Sequence, residues 1–137
     1  MKKVVSKEVL ERLEKNGFAK LCGLEVLEAH DGYAKGRFIL GPQHMNPIGS
    51  VHGGCVFTLM DSIGGFAAYT NGRYCATLSS NVDYLSPAMN CKELIAEATP
   101  VRVGRKVMVY DVVVTDETGR KIARGSITFY TLEKINE

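Results

Sequence analysis

The chain has no tryptophan, only four prolines and only three histidines, and its four cysteines never fall in a C-x-x-C pair. Cys22, Cys55, Cys75 and Cys91 therefore combine with His30, His44 and His52 into none of the usual zinc-ligand spacings, and no metal is expected. Thiols in apolar settings such as these read as small hydrophobes, expected to be reduced. Charge of one sign is not in excess either. A net charge of +2 is too small to argue for nucleic acid, and the single short basic group, Arg102, Arg105 and Lys106, is not a stripe. The amino-terminal segment carries recurring charges in place of the apolar stretch of a signal peptide, so a cytoplasmic location is expected. Residues 53–72 approach membrane-spanning length, but Asp61, several glycines, Ser62, Thr70 and Asn71 make insertion costly, and no membrane partner is expected.

What is present fits one domain over residues 1–137, with 45% hydrophobic and 23% charged residues, enough to bury a core without staples. Ser6 is placed to cap a helix through Lys15, with Gly17 as its stop. Residues 21–28 and 32–40 read as two strands around a turn at His30, Asp31 and Gly32. A loop over 41–51, rich in proline and glycine, precedes an apolar helix over 53–69 that the protein is expected to wrap. Four segments rich in Val, Ile, Thr and Tyr follow, at 75–84, 93–103, 106–116 and 121–132. Their short connections argue for antiparallel neighbours. A long buried helix against a curved, mostly antiparallel sheet is an α+β arrangement.

Asp61 is the only charged residue between His52 and Arg73. Burying an ionised carboxylate costs several kcal/mol unless it is paired or hydrogen-bonded, so Asp61 either caps or reaches solvent, or it is a catalytic acid or base. Gly53 opens the helix, where unsatisfied N–H groups and the dipole favour a developing oxyanion, and Gly54 follows it. Asn46 can supply a second donor, or it stabilises a turn. Along the strand ATLSSNVDYL, Thr77, Ser79, Asn81 and Asp83 alternate onto one face as a polar row. The basic group Arg102, Arg105 and Lys106 falls at a hairpin tip, either as a solvated turn or as a phosphate contact. Phe57, Met60, Phe66, Tyr69 and Met89 are available to line an apolar pocket, or belong to the core.

The helix period limits how these groups meet. His52 and Asp61 are nine positions apart, which on one helix is about 900° of turn and about 13.5 Å of rise. They point to opposite sides, so one chain cannot pair them. A two-fold dimer resolves this by setting the helix start of one subunit against the helix middle of the other.

The joint spacing of Asn46, Gly49, His52, Gly53, Gly54 and Asp61, followed by TLSSNVDYLSPA, resembles the hotdog-fold acyl-CoA thioesterases, in particular the phenylacetic-acid-degradation (PaaI-like) branch. The resemblance runs from about Gly41 to about Pro87 and more loosely to the end of the chain. It implies a hotdog fold and a homodimer with sites at its interface, assembled further into a homotetramer. It also implies an acyl-CoA substrate, aryl or medium-chain, with no cofactor beyond the coenzyme A of the substrate itself. In that picture Asp61 is the catalytic carboxylate, acting on water or attacking directly, and His52 supports the substrate more than it transfers protons. Thr77 orients the carboxylate, with Ser79 as second choice. Two other functions use the same fold: a hydratase or dehydratase, and a non-catalytic acyl-CoA sensor that would keep the pocket and lose the carboxylate.

Overall fold

Ser6 opens the first helix, α1 (Lys7–Glu14), by accepting the Val9 N–H on its hydroxyl at 3.4 Å. In the computed structural model, which describes residues 5–136, this helix has Lys15 as its C-cap. Residues 1–4 and 137 of the expected domain lie outside the described residues. Gly17 does not serve as the stop expected of it: Asn16 accepts from Phe18 N and Ala19 N and so caps a second helix, α2 (Gly17–Cys22). Gly23, at φ 73°, ends α2 in the left-handed conformation that glycine adopts at least cost. The first strand therefore begins at Leu24, three residues later than the apolar pattern implies, because Leu21 and Cys22 belong to the helix.

Strands β1 (Leu24–His30) and β2 (Tyr33–Ile39) pair through a two-residue turn in which Asp31 and Gly32 have φ of 51° and 82°. That sign at both positions is the type I′ geometry matching strand twist. After a 3-10 turn at Pro42–His44, α3 (Gly53–Tyr69) runs unbroken for 17 residues, followed by β3 (Arg73–Tyr84), β4 (Glu93–Val103), β5 (Val107–Asp116) and β6 (Lys121–Lys134). One six-stranded sheet results, in the order β1-β2-β4-β5-β6-β3. All its pairings are antiparallel.

The order corrects one expectation. The connection over residues 85–92 is short but is not a hairpin: β3 pairs with β6 at the sheet edge, and the chain returns past β6 and β5 to reach β4. Backbone bonds hold this crossing, from Leu85 N and Ser86 N to Ile122 O and from Val51 N to Ala88 O. Helix α3 makes the reverse journey, from β2 to the far edge at β3.

The sheet curls around α3, whose Val56, Leu59, Met60, Ile63, Phe66 and Ala67 are buried against Phe38, Leu94, Tyr110, Val112, Ile127 and Phe129 from its inner face. The wrapping is incomplete. Cys55, Thr58, Asp61 and Ser62 are only half-buried and form an open stripe along the helix. So the helix is not enclosed all round, and its one charged residue lies on the open side. Approach to a neighbouring backbone is tightest at Gly125 of β6, where an added Cβ would collide with the Asn81 carbonyl oxygen and lie 3.0 Å from Met60 Cε. A backbone oxygen fixed in a ladder has nowhere to move, so overpacking is unrelieved. Gly125→Ala is expected to lower the unfolding free energy by about 1–3 kcal/mol, read from the midpoint of urea denaturation with an unchanged slope.

Candidate active site

Asp61 projects from the open stripe of α3 toward the edge strand, where the Thr77 hydroxyl donates a hydrogen bond to its Oδ1 at 2.5 Å. A hydroxyl bonding an ionised carboxylate makes bonds of this short, charge-assisted kind. The bond fixes the carboxylate plane and leaves Oδ2 open. A β-bulge makes the contact possible. Thr77 pairs with Phe129 while Ser79 pairs with Thr128, so Leu78 is an extra residue on β3. Thr77 shares the helix-facing side with Phe129, and beyond the bulge the alternation is inverted. The expected single polar row is therefore broken. Ser79, Asn81 and Asp83 face away from the helix, and Ser80, Val82 and Tyr84 face it.

Asp61 and Thr77 stand in a cavity of about 380 Å³ bounded by Gly65, Phe66, Tyr69 and Phe129, with Tyr74 and Cys75 from the start of β3. Of the residues expected to line a pocket, Phe66 and Tyr69 do so. Met60 is fully buried in the core, Phe57 packs beside it and Met89 is exposed. Burial, and next the Asp61 carboxylate, push the Cys75 thiol up to about 12. The thiol therefore stays protonated at neutral pH and serves as part of the wall. Tyr69 is raised to about 12, chiefly by burial and then by Cys75 and Asp61, so the phenol stays protonated.

Other residues expected in a site assemble at the start of α3, away from this cavity. His52 is the N-cap: its Nδ1 accepts the Gly54 N–H at 2.9 Å, which leaves the ring proton on Nε2. The Gly54 donor is thus committed to His52. Gly53 N–H has no hydrogen-bond partner among the described residues, while the Gly53 carbonyl accepts from Tyr84 Oη at 2.9 Å. Asn46 staples the preceding loop: its Oδ1 accepts from Ile48 N and Ser50 N, and its Nδ2 donates to Ser50 Oγ at 2.7 Å. Its other Nδ2 hydrogen has no partner among the described residues. Gly53 borders a cavity of about 330 Å³ with Tyr84 and Pro87, and His52 and Gly54 border one of about 440 Å³ with Phe18 and Met45. Neither contains Asp61. Within one chain the carboxylate and the helix-start donors stay apart, as the period of α3 requires.

Arg102, Arg105 and Lys106 are exposed around the β4–β5 tip, with no carboxylate partner among the described residues. Val103 pairs with Met108, Met108 with Phe129 and Phe129 with Thr77, so the tip lies on the same row of the sheet as Thr77, three strands across. That is about 14 Å. Sequence reasoning missed two contributors. The Tyr84 clamp on Gly53 depends on the inverted register beyond the bulge. The other is the wall of the Asp61 cavity: α1 was expected as a helix but not at the site, and α2 was signalled only by Asn16 ahead of a helical pattern.

Comparison with known proteins identifies the family. The profile described as the thioesterase superfamily matches residues 48–123, which include His52, Gly53, Asp61 and Thr77 and stop short of Asn46. Mouse acyl-coenzyme A thioesterase 13 is 35% identical over 89 residues, covering 63% of this chain and 64% of its own. Escherichia coli acyl-coenzyme A thioesterase PaaI is 26% identical over 110 residues, covering 80% and 79%. The solved structure of E. coli PaaI superposes with a TM-score of 0.86 at 23% identity, over 93% of this chain and 94% of that one. A Streptococcus pneumoniae hypothetical thioesterase solved with coenzyme A superposes with a TM-score of 0.79 at 27% identity, over 82% and 91%. That protein has also been solved with an aspartate, or a threonine sixteen positions beyond it, replaced by alanine. No helix of the described residues is long and apolar enough to cross a membrane. With more than half of its residues matched and its helix wrapped by an antiparallel sheet, the chain belongs to the thioesterase superfamily, as a PaaI-like thioester hydrolase of the hotdog fold.

Proposed function

We propose that the protein hydrolyses acyl-CoA thioesters, aryl or medium-chain, at two equivalent sites shared between the subunits of a homodimer. The observation that carries this is the Asp61 carboxylate, oriented by Thr77 at 2.5 Å and set in a cavity of about 380 Å³ large enough for an acyl group. The sixteen-residue separation of Asp61 and Thr77 equals that of the aspartate and threonine replaced in the S. pneumoniae protein. The names of the E. coli and mouse relatives, and the coenzyme A in the S. pneumoniae structure, support acyl-CoA as the substrate class.

The dimer follows from β3. A 12-residue edge strand with one unpaired side is a template for another strand, and Leu78 and Tyr84 on it are 60% and 55% exposed. Twofold antiparallel pairing with a second copy, centred on Asn81, sets Thr77 opposite Tyr84 of that copy once Leu78 is taken up in its bulge. Because Tyr84 is bonded to the Gly53 carbonyl, this brings the second copy's helix start to Asp61. Pairing of such dimers into a homotetramer, a single domain over residues 1–137 and a cytoplasmic location complete the proposal.

In the composite site the free Gly53 N–H, helped by the Asn46 amide, receives the thioester carbonyl oxygen as it becomes an oxyanion. Asp61 takes a proton from water, whose oxygen bonds to the carbonyl carbon, or it attacks that carbon itself. In the first route collapse breaks the carbon–sulfur bond and the proton passes from Asp61 to the departing thiolate. In the second, collapse expels the thiolate and leaves an acyl–Asp61 anhydride, which water cleaves to the free acid and the restored carboxylate while the water's proton goes to the thiolate. His52, tied by Nδ1 to the helix start, positions the loop and offers Nε2–H to the substrate. Arg102, Arg105 and Lys106 hold the coenzyme A phosphates outside the cleft, and Gly54 and Ser79 border its approach.

Free-thiol release from a panel of aryl- and alkyl-CoA thioesters tests this directly. Asp61→Asn is expected to lower kcat by about 10²–10⁴ while acyl-CoA still binds, whereas Thr77→Ala loses about 10-fold to 100-fold and Thr77→Ser recovers most of it. Binding without turnover by the wild type would point to the sensor in place of the hydrolase. Arg105→Glu is expected to raise KM about twofold to fivefold with kcat unchanged, the pattern of uniform binding. An unchanged KM would remove Arg105 from the coenzyme A site.

A further inference from the structure

The cavity at Asp61 has a far end that the proposed chemistry does not use. Along α3 its floor is the stripe Asp61, Ser62, Gly65, Phe66 and Tyr69, which climbs about 12 Å from the carboxylate to the phenol ring. Tyr69 meets Tyr74 edge-on, with ring centroids 5.6 Å apart, and Tyr74 stands about 10 Å along β3 from Thr77. The Arg12 guanidinium lies 4.3 Å from the centre of the Tyr74 ring, so α1 sits over this end and not over the carboxylate. Its inward face, Val9, Arg12 and Leu13, has the i, i+3, i+4 spacing of one helical stripe, and all three line the cavity. Val9 is the only fully buried residue of α1, at 3% exposure, and belongs at once to the core and to the cavity wall.

We infer that α1 is the end wall of the acyl pocket and that Val9 fixes the length of the acyl group this enzyme hydrolyses fastest. This deepens the thioesterase proposal and rests on it. The placement suits the task. Helix α1 joins no sheet ladder; its backbone bonds stay within α1 and the turn into α2, and its Glu8 carboxylate faces the Tyr74 phenol. The contacts of Arg12 and Glu8 with Tyr74, and the packing of Val9 and Leu13 against the core, hold it in place. A wall held by so few groups is altered by one side chain without disturbing Asp61, Thr77 or the sheet, so the depth of the pocket is separable from its chemistry.

The test is the dependence of kcat/KM on chain length, from butanoyl- to hexadecanoyl-CoA, for the wild type, Val9→Ala and Val9→Phe. Val9→Ala is expected to move the optimum to longer chains, with a gain of about tenfold or more on substrates just above the wild-type optimum. Val9→Phe is expected to move it to shorter ones by a comparable factor. Loss of stability lowers all rates together and cannot shift the two profiles in opposite directions. Turnover with the same optimum in all three proteins would overturn the end-wall assignment while leaving the hydrolase intact. No turnover by the wild type on any member would overturn the thioesterase proposal, and the end wall with it.

Discussion

A straight helix cannot bring its first residue and its ninth to one point. That constraint governs the whole molecule, because Gly53 with its free amide and Asp61 with its carboxylate are held on the same 17-residue helix. In the proposed dimer each subunit contributes one half of a site from either end of a rise of about 12 Å. The halves open into different cavities, and Tyr84 and Thr77 tie them to opposite ends of the edge strand. A symmetric partner laid along that strand reverses its direction and so exchanges the ends. The long unpaired edge, a liability in a monomer, is in this account what completes the chemistry.

The local devices serve the same end. The bulge at Leu78 turns Thr77 inward and sends Ser79 outward, so a single hydroxyl reaches the carboxylate. His52 spends one ring nitrogen on the Gly54 amide and the Asn46 carbonyl oxygen spends itself on its own loop, which makes the helix start rigid before any substrate arrives. The groups with no partner among the described residues, Gly53 N–H and one hydrogen of Asn46 Nδ2, are those the proposed mechanism gives to the oxyanion. Donors already in place cost no reorganisation when charge develops.

Much of this was legible in the sequence. The apolar periodicity of residues 53–69 marked the helix to its exact ends, and Asp31 with Gly32 marked the turn. The spacing of Asn46, His52, Gly53 and Asp61 marked the family. What escaped was set by tertiary contacts. The period-two pattern of β3 carried no sign of its bulge, because Leu78 on an edge strand has no buried face to betray the slip. The pairing of β3 with β6 was hidden because SPAMNC looks like any tight turn, although it crosses two strands. Leu21 and Cys22 continued an apolar run and read as strand, while Asn16 and Gly23, the true cap and stop of α2, lay either side.

The central claim is that each site takes Asp61 from one subunit and Gly53 from the other, and mixing subunits tests it most directly. Asp61→Asn and Gly53→Val chains, each inactive alone, are co-expressed under different tags and the mixed dimer is isolated. The account predicts that this dimer recovers turnover, since one of its two sites joins the intact Asp61 of one chain to the intact Gly53 of the other. A stable mixed dimer with no more activity than its parents would contradict it and return both groups to a single chain.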